Sequence, residues 1–150
     1  MYKDLILAYK GLVNSETYEI SLLANTSAFI YEHISDLNWC GFYIHLDNKL
    51  ILGPFQGKVA CNEIEPNKGV CGTSLVTKET IVVPDVSKHE NHIYCDNNSK
   101  SEVVIPIIVN NEVYGVFDFD SPLLNRFDKE LVEFLESITN ILEEKLINIK

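Results

Sequence analysis

Apolar positions recur along this chain with two periods, and the alternation between them separates helix from strand. After Asn14-Ser15, either of which can cap a helix, apolar residues fall at Ile20, Leu22, Leu23, Phe29, Ile30 and Ile34, and this spacing predicts the first helix. Trp39-Cys40-Gly41-Phe42-Tyr43-Ile44-His45-Leu46 reads as a strand ended by a turn at Asp47-Asn48, with Lys49-Leu50-Ile51-Leu52 as its hairpin partner. From Gly53 to Gly72 the composition is dense in Gly, Pro, Asn and Lys. There we expect a short strand, then a long loop leading to a brief helix near Thr73 to Lys78. Ile81-Val82-Val83 is a short strand stopped by Pro84, and the polar stretch from Asp85 to Lys100 reads as a functional loop. Val103 to Val109 and Val113 to Phe119, separated by Asn110-Asn111-Glu112, form a hairpin in which Pro106 indicates an edge position or a bulge. Phe127, Leu131, Phe134, Leu135, Ile138, Leu142 and Leu146 then keep helical spacing behind Asp128 and Glu130. The expected architecture is α+β, an antiparallel sheet with the two terminal helices packed on one face.

Length and charge narrow the function. A chain of 150 residues with 46% apolar content is expected to form one domain spanning residues 1–150. Its 12 basic against 22 acidic residues, a net charge of −10, argue against nucleic acid or an anionic membrane as partner. The opening Met1 to Lys10 is too short and interrupted for a signal peptide, and no run approaches the roughly 20 apolar residues of a membrane span. We therefore expect a cytoplasmic protein whose thiols are kept reduced, so that any disulfide is transient and catalytic or regulatory.

Three of the four cysteines, Cys61, Cys71 and Cys95, stand among Gly, Lys, Asp and Ser, neighbours that a cysteine packed as a small hydrophobe does not need. Redox or nucleophilic work calls instead for exposure, a stabilised thiolate and a second thiol within reach. Cys40 alternates with Trp39 and Gly41 beside Phe42, Ile44 and Leu46, and is assigned to the core. Asp118 and Asp120, two apart on a strand, are expected to share a face with Val116 and Tyr114. Burying two carboxylates there is costly unless they are paired or protonated. Glu102 opens the neighbouring strand. A three-residue hairpin loop would set it opposite Asp120, a two-residue loop opposite Phe119, and a bulge marked by Pro106 would decide the register. Convergence of all three acids would raise at least one pKa. His89-x-x-His92-x-x-Cys95 with Cys61 or Cys71 offers zinc-ligand types, but without the paired spacing of structural zinc modules; neither a metal nor another cofactor is expected.

Seven stretches occur together in order. They are Asn38-Trp39-Cys40-Gly41-Phe42-Tyr43, Leu52 to Cys61, Lys68-Gly69-Val70-Cys71-Gly72, Val83-Pro84-Asp85-Val86, His92-Ile93-Tyr94-Cys95-Asp96, Ser99-Lys100-Ser101-Glu102 and Asp118-Phe119-Asp120-Ser121. From Asn38 to the C-terminal helix the chain resembles the free methionine-(R)-sulfoxide reductase family, which is built on a GAF domain. It departs at Tyr94, where the family usually has Ala, and at Glu90-Asn91, where Pro-Gly is more usual. The resemblance implies catalytic loops on the sheet face opposite the helices. It makes Cys95 the nucleophile that attacks the sulfoxide and becomes a sulfenic acid. Cys61, or alternatively Cys71, then closes a disulfide that thioredoxin reduces. It also implies that Glu102 and Asp120 hydrogen-bond and protonate the sulfoxide oxygen, Asp118 holds the substrate ammonium, and Trp39 walls the S-methyl end. Backbone N–H groups in the loop before Glu102 could take the substrate carboxylate. A homodimer through the terminal helices is plausible on the same ground. The competing reading is a GAF-type sensory module that binds a small ligand without turnover; three thiols in loops argue against it.

Overall fold

Two pairs of left-handed residues close the central hairpins. Asp47 and Asn48 have φ of 51° and 62°, and Asn110 and Asn111 have φ of 54° and 67°. Asp and Asn tolerate this conformation, and two such residues in succession make the tight turn whose twist suits paired strands. The computed structural model describes residues 1–89 and 98–149. Its helices are α1 (Tyr2–Val13), α2 (Glu19–His33), α3 (Gly69–Thr77) and α4 (Lys129–Ile149), and its strands are β1 (Trp39–Leu46), β2 (Lys49–Gly57), β3 (Glu63–Ile64), β4 (Ile81–Val83), β5 (Ser101–Val109) and β6 (Glu112–Ser121). The strands form one sheet in the order β3-β2-β1-β6-β5-β4, antiparallel throughout. No helix among the described residues is long and apolar enough to cross a membrane.

The helices follow from their apolar stripes. In α4 Leu131, Phe134, Leu135, Ile138, Leu142 and Leu146 are buried, and the Asp128 carboxylate accepts from the Leu131 N–H at 2.9 Å, capping the helix start. The helix α1 was not among the expected elements. Tyr2, Leu5, Ile6, Tyr9 and Val13 form an apolar stripe that packs on the helix-side core, while Leu7 and Leu12 lie outside it and are exposed. It is anchored by Tyr2 stacked on Phe134 and by a 2.7 Å hydrogen bond between the Tyr9 and Thr26 hydroxyls. Asn14 and Ser15 do not cap α2. Asn14 ends α1, Tyr18 precedes α2 without a side-chain cap, and Ile20 points to solvent. The brief helix also begins earlier than expected, at Gly69 rather than Thr73.

Each face of the sheet carries its own core. One, beneath the helices, includes Phe42, Ile105, Ile107, Phe117, Phe119, Leu135 and Ile138, with Cys40 among them. The other includes Trp39, Tyr43, Leu50, Val70, Cys71, Val104 and Val116 and is covered by α3.

The register between β5 and β6 combines the two alternatives left open by the sequence. The turn has two residues, Val109 pairing with Glu112 and Ile108 with Val113, yet Ile107 pairs with Gly115. Tyr114 is therefore an extra residue on β6, a bulge one step from Pro106, and beyond it Glu102 lies opposite Asp120. The bulge also corrects the expected facing of Tyr114. Its ring joins the helix-side core and its hydroxyl donates to Glu19 of α2, away from Val116, Asp118 and Asp120. Pro106 is tolerated because β4 pairs only with Glu102, Val103 and Val104, leaving that flank of β5 open farther along.

Candidate active site

Two rows of side chains cross the sheet on the face covered by α3. Trp39 of β1 pairs with Asp120 of β6, which pairs with Glu102 of β5; one step along, Gly41 pairs with Asp118, which pairs with Val104. Strand pairing alone thus brings three carboxyl groups and the indole together. Glu102, Asp118 and Asp120 are 5%, 6% and 8% exposed, too little for three hydrated carboxylates. Glu102 shares side-chain hydrogen bonds with Asp118 and Asp120, and burial, reinforced by the charges of both, pushes its pKa well up. Burial also raises Asp118, against the opposing effect of hydrogen bonds from Glu102, Cys71 and the Phe119 N–H. Burial raises both carboxyls, while the hydrogen bond between them raises Glu102 and lowers Asp118, as for Glu102 donating to Asp118.

The helix α3 lays Cys71 on this cluster. Burial, followed by the negative charge of Asp118, holds its thiol well above the ordinary cysteine range, and it donates to Asp118. Cys71 is therefore not on a loop, as expected, but on a buried helix turn with a free thiol. Its sulfur and one oxygen each of Glu102 and Asp118 lie within 4.8 Å of one another. That spacing suits a shared proton, and it would also offer three ligand atoms to a cation.

Trp39 is 2% exposed, stacked between Phe55 (centroids 5.1 Å apart) and Tyr43 (5.9 Å), with its indole N–H donating to the Lys58 carbonyl at 3.1 Å. Gly41 makes this stack possible. A Cβ there would lie 2.2 Å from that of Phe55, so only glycine lets β2 bring Phe55 against the indole. Cys61 follows β2 in the segment before β3; it is disulfide-bonded, whereas Cys40 and Cys71 carry free thiols. Cys95 and His92 lie outside the described residues, and so does the expected nucleophile; of the His89-x-x-His92-x-x-Cys95 spacing only His89 is described. Of the loop N–H groups expected to receive a substrate carboxylate, that of Lys100 donates to the Ser121 carbonyl at 2.8 Å instead.

Tyr43 had no expected role beyond its place in the aromatic run of β1. Its hydroxyl donates to the Cys61 carbonyl at 2.8 Å, and its position four residues from Trp39 on one strand, hence on the same face, was the available signal.

The GAF domain family model matches residues 19–146. The chain is 43% identical over 145 residues to the free methionine-R-sulfoxide reductase of Escherichia coli, covering 97% of this chain and 88% of that one. The reduced form of the fRMsr of Staphylococcus aureus superposes with a TM-score of 0.94 at 44% identity, covering 97% of this chain and 94% of that one. The free methionine-R-sulfoxide reductase of Neisseria meningitidis in complex with its substrate gives a TM-score of 0.93 at 36% identity, covering 99% and 89%. With its sheet and sequence matched over nearly the whole length, the chain belongs to the GAF-domain family of free methionine-(R)-sulfoxide reductases, oxidoreductases that act on a sulfur group.

Proposed function

We propose that this chain reduces free methionine-(R)-sulfoxide to methionine, acting as one catalytic domain over its full length. The observation that carries this reading is the buried, proton-sharing cluster of Glu102, Asp118 and Asp120 beside Trp39. A sulfoxide oxygen leaves sulfur only when protonated or strongly hydrogen-bonded, and a carboxyl kept neutral by burial is the group that can do this near neutral pH.

In this reading the Cys95 thiolate attacks the sulfoxide sulfur while Glu102 and Asp120 hydrogen-bond the oxygen and the pair delivers one proton to it. The oxygen passes to the cysteine, methionine leaves with its sulfur reduced by two electrons, and Cys95 is left as a sulfenic acid. The Cys61 thiol condenses with it, releasing water and forming a disulfide. Thioredoxin, the family's implied donor in a reducing cytoplasm, supplies two electrons and two protons to restore both thiols. The role of Cys61 as the condensing thiol is supported by its disulfide-bonded state, whereas Cys40 and Cys71 carry free thiols. Asp118, the acceptor of the Glu102 and Cys71 hydrogen bonds, would face the substrate ammonium, and the Trp39 ring the S-methyl group.

The deciding experiment measures NADPH consumption coupled through thioredoxin reductase and thioredoxin. It compares free L-methionine-(R)-sulfoxide with the (S) epimer and with a peptide-bound sulfoxide. Turnover confined to the free (R) epimer is expected. No turnover of any sulfoxide by fully reduced protein would sink the proposal and favour a GAF-type ligand-binding module.

A further inference from the structure

Two side chains of β1 grip the backbone that carries Cys61. Between β2 and β3 the chain runs through residues 58–62 without regular structure. The carbonyl of Lys58 accepts from the Trp39 indole at 3.1 Å, and that of Cys61 from the Tyr43 hydroxyl at 2.8 Å. The Asn62 carbonyl accepts from the Leu52 N–H at 3.0 Å. The two aromatic rings also stack on each other, centroids 5.9 Å apart and planes 24° from parallel. Both rings are 2% exposed, so the two donors are held in place by packing, and the hydrogen bonds they make are part-buried. The wall of the site and the backbone of the half-buried cysteine thus form one unit, and the hydrogen bond at the cysteine itself comes from Tyr43.

We infer that Tyr43 is a positioning residue for disulfide closure, holding the Cys61 main chain so that its sulfur meets the oxidised Cys95. This rests on the reading above of Cys61 as the condensing thiol. Forming the S–S bond requires the two sulfurs in line at bonding approach while water departs, and small misplacements of a reacting group cost rate steeply. Attack on the sulfoxide does not use Cys61, so the inference separates the two steps. Loss of the Tyr43 hydroxyl slows closure and spares methionine release.

The test uses the full-length reduced protein and its Tyr43→Phe variant, which keeps the ring stack and loses only the hydroxyl. Each is mixed with stoichiometric free methionine-(R)-sulfoxide and quenched over time. Released methionine reports the first step. Dimedone-trapped sulfenic acid and the disulfide mass signature report the second. Expected is methionine release within about twofold of wild type, with disulfide closure about tenfold slower and trapped sulfenic acid correspondingly longer-lived. Closure at the wild-type rate would overturn the inference. So would equal slowing of both steps, which would mean the phenol supports the site as a whole. Cys61→Ser is run alongside. If that variant still forms an intramolecular disulfide at the wild-type rate, the assignment of Cys61 itself has failed, and the role of Tyr43 falls with it.

Discussion

Glu102 and Asp120 stand directly opposite each other across β5 and β6, in register with Trp39 of β1. Each neutral carboxyl can donate where an ionised one cannot, and the pair is buried enough to keep a proton between them. Glu102→Gln and Asp120→Asn preserve size and hydrogen-bonding capacity but remove the transferable proton. Each is expected to lower the rate of methionine release in a single turnover by about 10²–10⁴-fold. Thermal midpoints should stay near that of the wild type. Unchanged single-turnover rates would exclude both groups from proton transfer.

The raised pKa values make stability depend on pH in a definite sense. Burial, and then the neighbouring carboxylates, raise Glu102; burial raises Asp118. In the window above the ordinary carboxyl range, the folded protein therefore holds protons that the unfolded chain has released. Stability from these groups is present in full at acid pH and is lost as pH rises through their raised values. Urea midpoints measured from about pH 5 to about pH 8 should fall more for wild type than for Glu102→Gln, in which the first of these titrations is absent. Parallel curves would contradict a shared proton in the cluster.

Reactivity should divide the cysteines. Burial raises the thiols of both Cys40 and Cys71, in each case reinforced by Asp118, and little thiolate is available to an alkylating agent. In reduced folded protein at about pH 8, iodoacetamide should modify Cys40 and Cys71 at least about tenfold more slowly than in urea, as followed by peptide mass mapping. Rapid native labelling of Cys71 would mean that α3 opens readily and that Cys71 competes with Cys61 for disulfide formation.

The helical stripe of α4, the two hairpins and the pairing of Asp118 with Asp120 on one face could all be read from period and turn residues. What could not be read had specific causes. Tyr114 is one more residue in a strand of good β-formers, and nothing local marks it as unpaired, so its facing was misassigned while the acids beyond it were not. The helix α1 does carry a stripe, Tyr2, Leu5, Ile6, Tyr9 and Val13, but Leu7 and Leu12 outside it blur the period, and its anchors Phe134 and Thr26 are distant in sequence. Cys71 was assigned to a loop because Gly69 and Gly72 flank it. In the fold Gly69, at φ 64°, opens α3, and a Cβ on Gly72 would fall 2.5 Å from the Glu65 carbonyl, so one glycine serves the helix start and the other close packing.

Gly41 tests how far the aromatic wall depends on close approach. In Gly41→Ala the new methyl would meet Phe55 Cβ at 2.2 Å and the Trp39 ring at 2.9 Å, inside any tolerable contact. The variant should lose about 1–3 kcal/mol of stability in urea unfolding. Trp39 is the single tryptophan of the chain, so its emission reports the site alone and should shift to the red as Phe55 is pushed off it. Unaltered emission and stability would mean that β2 slides without disturbing the stack.

Removing Tyr114 altogether goes a step beyond trimming it. Tyr114→Ala keeps the residue count of β6 and loses packing and the hydroxyl contact to Glu19, costing about 1–3 kcal/mol with sulfoxide reduction largely intact. Deleting the residue removes the bulge but keeps the register: Val113, opposite Ile108, would be followed directly by Gly115, opposite Ile107, so Glu102 would still face Asp120. Asp118 and Asp120 would stay on the face covered by α3, and the chain would lose the Tyr114 packing, its hydroxyl contact to Glu19 and the local twist of the bulge. The deletion should therefore retain cooperative unfolding and reductase activity at a lowered urea midpoint, as read by urea denaturation and the coupled assay. Loss of both would show that the extra residue is itself needed to hold Glu102 against Asp120.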